Sequence, residues 1–143
     1  MSSAIANLQA AHARAAAVRP AVHGFPYLAE VLRQAGVSRY HHSIPSGTTL
    51  YVTDAGPVLM QDDPVVAPGM TDVASWNRDA VVTALRTDQS GNSSYPQFVR
   101  SCWAAGVVHY DVDLQSRTCT YAGAGGECYV ESYPRVEVVD GQR

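Results

Sequence analysis

The stretch FPYLAEVLRQAGVSRYHHSIPSGTTLY at residues 25–51 returns as YPQFVRSCWAAGVVHYDVDLQSRTCTY at 95–121, at a constant offset of 70 and without a gap. Eight of the 27 positions are identical: Pro26, Ala35, Gly36, Val37, Tyr40, Ser46, Thr48 and Tyr51 fall on Pro96, Ala105, Gly106, Val107, Tyr110, Ser116, Thr118 and Tyr121. Average composition would give about two by chance. The chain therefore reads as one supersecondary unit used twice. A motif that recurs because it folds says more about architecture than about chemistry.

Within each copy the proline suits a first helical turn, and Leu28, Val31, Leu32 and Ala35, matched by Phe98, Cys102 and Ala105, mark the buried side of a helix. Gly36 and Gly106 stand where that helix ends, because glycine takes the left-handed conformation of a C-cap at no steric cost. The period then changes from 3.6 to two. Tyr40, His42 and Ile44 alternate with Arg39, His41 and Ser43, and Tyr110, Val112 and Leu114 alternate with His109, Asp111 and Asp113. The tyrosine face is the expected core face and the charged face is expected to look outward. Turns at Pro45-Ser46-Gly47 and Gln115-Ser116-Arg117 return the chain into strands ending at Tyr51 and Tyr121.

Upstream of each copy lies another helical pattern. One runs over 4–18 after Ser2-Ser3; the other follows Thr71-Asp72 as a cap, with Val73, Trp76, Ala80, Val81, Ala84 and Leu85 as its apolar stripe. Each unit is thus predicted to be ααββ. The chain reads as a single domain over 1–143, with pseudo-repeat units at 4–52 and 73–122, an irregular joining segment at 53–72, and a third strand of the second unit at 127–134. Val58–Met60 and Val65–Ala67 are the best strand fragments in the middle segment, and residues 135–143 read either as an edge strand or as a frayed end. The expected architecture is α+β, a mainly antiparallel sheet with helices packed on one face.

Composition narrows the function classes. At 143 residues the chain can bury roughly 68% of its extended surface around one core without a metal or disulfide staple. Three cysteines with no CxxC pair, and a start with no basic n-region before an apolar run, predict reduced thiols and a cytoplasmic location. No apolar stretch approaches a membrane span. A net charge of −3 argues against sequence-independent nucleic-acid binding. All ten cationic side chains are arginine. Schiff-base chemistry through lysine and a complete Walker A loop are thereby excluded. Dinucleotide glycine fingerprints, HExxH, EF-hand loops and GxSxG are missing too, so no cofactor is predicted.

Several constellations carry chemistry in principle. His109, Asp111 and Asp113 lie two residues apart on the outward face, with Glu131 on a neighbouring strand, an array suited either to a divalent cation or to acid–base work, or simply to a solvated sheet face. His41-His42 cannot share one ion without a bulge, since adjacent strand residues point to opposite faces. His42 replaces Val112 of the second copy and is either a satisfied core histidine or a polar group lining a pocket with Tyr40, Tyr51, Tyr110 and Tyr121. Those four hydroxyls need partners, which are one another, His42 or a small polar ligand. Asp62-Asp63, in a loop before Pro64, is either a carboxylate pair for general acid–base chemistry or, as the loop setting favours, a solvated pair. Cys119 is expected opposite Cys128, both pointing into the core beside Tyr121.

The run GNSSYPQFxxxCxxAGVxxYxVDLxxxTCTYAGAGGE from Gly91 to Glu127, with FPxLxxxLxxAGVxxY at 25–40 and VESYP at 130–134, resembles the uncharacterised YbcV-like bacterial family often labelled phage envelope protein. The chain departs from it at Val99, where a cysteine is expected after the phenylalanine. The resemblance implies a small soluble bacterial or prophage-associated protein with no established activity. The expected function is a non-catalytic module that binds a protein partner or a small polar ligand, as a homodimer through part of its sheet. The rivals are a small metal-assisted hydrolase using His109, Asp111, Asp113 and Glu131, and a phage structural protein.

Overall fold

The structure, a computed structural model, describes residues 2–139. Its elements run α1 (Ser3–Val18), α2 (Phe25–Gln34), β1 (Val37–Ser43), β2 (Thr48–Thr53), β3 (Gly56–Gln61), α3 (Arg78–Gln89), α4 (Tyr95–Ala104), β4 (Val107–Asp113), β5 (Thr118–Gly123) and β6 (Cys128–Ser132). The six strands form one antiparallel sheet in the order β3-β2-β1-β4-β5-β6. The architecture is α+β, as the periodicities predict. No helix among the described residues is long and apolar enough to cross a membrane.

Seven of the eight repeat identities have a local structural reason. Pro26 and Pro96 lie in the first turns of α2 and α4. Gly36 and Gly106 both take φ +95°, which closes those helices and releases Val37 and Val107 into the sheet. Ser46 and Thr48 hydrogen-bond side chain to side chain at 2.9 Å across the hairpin turn, and Ser116 and Thr118 repeat the contact at 2.8 Å. Tyr40 pairs across strands with Tyr51, and Tyr110 with Tyr121. The inward strand positions and the apolar stripes of all four helices share one hydrophobic cluster, in which Leu32, Ile44 and Leu114 are wholly buried. Burying each of them contributes about 1.5–3 kcal/mol.

The middle segment differs from its expected role as a joiner. Residues 56–61 form β3, paired along its whole length with β2, so each unit is ααβββ. Pro57 is tolerated because β3 is an edge strand, where a missing N–H breaks no ladder. The corresponding loop of the second unit is one residue longer, closing between Gly123 N–H and the Glu127 carbonyl at 2.8 Å with Gly126 at φ +92°. The offset between third strands therefore slips from 70 to 71, Leu59 matching Val130, and no residue is identical between them. Val65–Ala67 forms no strand.

Helix α3 also starts later than its apolar stripe predicts. Asn77, not Thr71-Asp72, is the N-cap: its side chain accepts from Ala80 N–H at 3.0 Å, while its own N–H donates to the Ala105 carbonyl at 2.9 Å. That tertiary bond fixes the helix start, and leaves Trp76 in an extended segment pressed against Gly106 and Gly123. At the other end, residues 133–139 form no strand; the Tyr133 ring packs edge-on against Phe25 at 5.2 Å. The rest of the expected edge strand, 140–143, lies outside the described residues.

One buried group is left without a partner in α1. His12 presses its ring edge-on against Tyr51 at 5.7 Å, and its Nε2 is sealed from solvent with no hydrogen bond. Burial lowers its pKa, against a smaller opposing pull from Asp62. The unfolded chain therefore takes up this proton first as pH falls, so stability is present above about pH 6.5 and declines below it. His12→Leu is expected to raise urea stability by about 1 kcal/mol near pH 5.5 and by less at pH 8. An unchanged pH slope in that variant would show that His12 does not titrate this way.

Candidate functional site

The two units meet at β1 and β4, which pair antiparallel with Arg39 against Asp113, Tyr40 against Val112, His41 against Asp111, His42 against Tyr110 and Ser43 against His109. His41 and Asp111 are the same position of the repeat, and here they are partners. A pseudo-twofold axis therefore passes between them. The flanking bonds obey it: Ile44 N–H donates to the Val108 carbonyl and Leu114 N–H to the Ser38 carbonyl, both at 3.0 Å.

Strand alternation puts Leu59, Leu50, His41, Asp111, Thr120 and Val130 in one outward row across the full sheet. Its ends are exposed and apolar, and its centre is polar. Around the centre the sheet surface forms a shallow concavity of about 440 Å³. Leu50 and Val52 line one side and Thr118 and Thr120 the other, with Arg39 and Asp113 at one end.

His41 and Asp111 belong to this lining, with His41 Nδ1 2.7 Å from Asp111 Oδ1; His109 stands beside them, outside the lining, with its Nδ1 3.4 Å from Asp111 Oδ2. The two imidazole rings stand 4.8 Å apart, tilted by 37°. His109 and Asp111 thus come together on the outward face, joined by His41 rather than by the other expected members. The Asp113 carboxylate turns away to accept the backbone N–H groups of Gln115 and Ser116 at 3.0 and 3.1 Å, holding the hairpin turn. Glu131 is on the opposite side of the sheet. It pairs with Cys119 in register, and its carboxylate binds Arg86 at 2.6 Å and Gln89 at 2.8 Å, both on α3.

The same register corrects the cysteines. Cys128 pairs with Ala122 and is exposed on the outward face, whereas Cys119 faces the core, so the two thiols lie on opposite sides. The three-residue Ala124–Gly126 loop sets this pairing. Burial pushes the thiols of Cys119 and Cys102 up to about 12, which makes both poor nucleophiles.

The tyrosine set lies inside. Tyr40, Tyr51, Tyr110 and Tyr121 are all buried, as is His42. The rings of Tyr40 and Tyr51 sit 5.1 Å apart and those of Tyr110 and Tyr121 5.6 Å apart. Burial raises the pKa of all four phenols and lowers that of His42. His42 Nδ1 hydrogen-bonds Thr49 Oγ1 at 2.7 Å, its Nε2 meets Tyr95 OH at 3.4 Å, and Tyr95 OH bonds Tyr110 OH at 2.8 Å. Thr49 and Tyr95 were not among the sequence candidates. Their signal is the repeat itself, since the second unit replaces the His42–Thr49 pair by Val112 and Cys119, and Tyr95 replaces Phe25.

The comparisons with known proteins place the chain without assigning an activity. Uncharacterized proteins of Mycobacterium bovis and of Mycobacterium tuberculosis strain H37Rv are each 50% identical to it over 137 residues, spanning 96% of this chain and 83% of theirs. Residues 14–132, which contain both repeat copies and all six strands, match the family described as protein of unknown function DUF1398. On that match the chain belongs to the DUF1398 family.

Proposed function

We propose that the chain is a small-ligand-binding module that does no chemistry on its ligand, and that its binding surface is the outward concavity on the pseudo-twofold axis. One observation carries this reading: a 440 Å³ depression, within the size range of small-molecule sites, sits on the sheet face away from the helices with an apolar wall, a hydroxyl wall and a polar floor. Such a lining suits a small amphipathic molecule. Its apolar body would lie on Leu50 and Val52, and its charged or hydrogen-bonding end over His41 and Asp111. The hydrolase alternative loses support from the same geometry, because Asp113 is held by its turn and Glu131 by Arg86.

The reading is tested by following backbone amide NMR shifts while adding benzoate, hexanoate and benzylamine in turn. At least one probe is expected to move amides of residues 39–41, 50–52, 111–113 and 118–120 together, and Leu50→Glu is expected to alter that binding at least about tenfold. Shifts centred on the helices, or none with any probe, would overturn it. Native mass spectrometry supplies a second check: a dimer that protects this same face would replace the small ligand by a second copy of the chain.

A further inference from the structure

Three metal-binding side chains converge on the axis, and ordinary hydrogen bonding accounts for only two of them. His41 and Asp111 make a good 2.7 Å contact. His109 Nδ1 does not share in it: the atom is sealed from solvent and has no hydrogen-bond partner, although Asp111 Oδ2 lies 3.4 Å away. A covered imidazole nitrogen left unpaired costs about 1–3 kcal/mol. In a neutral ring with its lone pair on Nδ1, that nitrogen would face a carboxylate oxygen of like partial charge. A cation seated among the three groups turns this repulsion into attraction.

The donor set and the spacing both fit such an ion. One ligand atom from each of His41, His109 and Asp111 lies within 4.8 Å of the others. Bonds of about 2.0–2.1 Å in tetrahedral geometry place donor atoms about 3.3 Å apart. With one donor atom from each residue all within 4.8 Å of one another, and with His41 2.7 Å from one Asp111 oxygen and His109 3.4 Å from the other, reaching that spacing needs shifts of no more than about 1.5 Å. Two imidazoles and one carboxylate select borderline transition ions over Mg²⁺ or Ca²⁺, which prefer all-oxygen sets.

We propose that His41, His109 and Asp111 form a site for one divalent first-row transition ion of the Zn²⁺ or Co²⁺ kind, with its remaining coordination positions open to the concavity. The inference deepens the binding reading above, since the ion would be the polar anchor for a ligand in that concavity. It also explains why the two copies of the repeat carry different residues at their shared axis. Two histidines or two aspartates at positions 41 and 111 would face a like group, whereas one of each gives a mixed pair of ligands that His109 completes.

The test uses untagged full chain in a Cys128→Ser background, which removes the exposed thiol as a competing ligand. Co²⁺ titration, read by its visible ligand-field bands and by equilibrium dialysis, is expected to saturate at one ion per chain, with azide then changing the bands. His41→Ala, His109→Ala and Asp111→Asn are each expected to weaken uptake at least about tenfold, while Asp72→Asn, an exposed carboxylate in the segment before α3, stays within about twofold of the parent. Asp111→Asn keeps the side-chain shape at a half-exposed position, and paramagnetic broadening by Co²⁺ in the parent protein maps the site without any variant. Non-saturating uptake, broadening centred elsewhere, equal binding in the three site variants, or bands indifferent to azide would overturn the proposal. Probe-induced shifts without Co²⁺ uptake would sink the ion site alone, and Co²⁺ uptake without probe shifts would sink the ligand reading alone.

Discussion

Gly106→Ala is expected to destabilise the fold by about 2–5 kcal/mol, and Gly36→Ala, at the equivalent position of the other unit, by only about 1–2 kcal/mol. Both glycines share φ +95°, so both substitutions carry the cost of placing a Cβ in the left-handed region. What differs is the neighbour. At Gly106 a Cβ would stand 2.8 Å from the Trp76 Cα and 2.9 Å from the Ser75 carbonyl and the Trp76 nitrogen, all backbone atoms. That backbone cannot yield easily, because Asn77 next to it is tied to the Ala105 carbonyl and caps α3. At Gly36 the obstruction is the carboxylate of Asp54, the far end of a side chain on a hairpin loop, which can turn away. Chemical denaturation of the two single variants decides the matter. Equal losses would mean that the left-handed backbone alone sets the cost and that the Trp76 segment moves freely.

This contrast also shows where sequence reasoning reaches and where it stops. The AGV motif in both copies discloses a helix end with glycine at its C-cap, because that requirement is local and has a residue signature. The tyrosine alternation likewise discloses which sheet face is buried. Nothing local discloses that the segment after Thr71 crosses to Gly106 before α3 begins, since Val73 and Trp76 have helical spacing, yet Trp76 is consumed by packing in an extended segment and Val73 is left exposed. The strand fragment Val58–Met60 is legible and lies within β3, but its place as the third strand of the first unit is not, because its hairpin loop is one residue shorter than its counterpart and none of its residues repeats. The candidate site was half legible. His109 and Asp111 follow from period-two alternation within one strand, whereas His41 joins them only through the antiparallel pairing of β1 with β4. Pairing order between two copies of a unit is a tertiary choice; once it is known, equal repeat positions meet at the axis and His41 must face Asp111. Glu131 fell on the wrong side because its parity depends on the length of the Ala124–Gly126 loop.

His42→Val and Thr49→Cys are expected to be strongly non-additive, each alone costing about 1–3 kcal/mol and the double variant recovering about 1–2 kcal/mol relative to the sum. The second unit has already made this exchange: Val112 and Cys119 pair across β4 and β5 where His42 and Thr49 pair across β1 and β2. In the first unit the 2.7 Å bond between His42 Nδ1 and Thr49 Oγ1 is buried on both sides. Removing the histidine strands a hydroxyl, and removing the hydroxyl strands an imidazole nitrogen; removing both leaves an apolar pair of a kind the same sheet already accommodates. Tyr95 extends the prediction. Its hydroxyl bridges Tyr110 at 2.8 Å and His42 at 3.4 Å, and the equivalent residue in the first unit is Phe25. Adding Tyr95→Phe to the double variant is therefore expected to cost less than adding it to the parent, because one of its two partners is already gone. A full double-mutant cycle by urea denaturation measures the coupling. If the two substitutions simply add, the buried His42–Thr49 contact is not an energetic unit, and the difference between the two halves of the core has another cause than polar pairing.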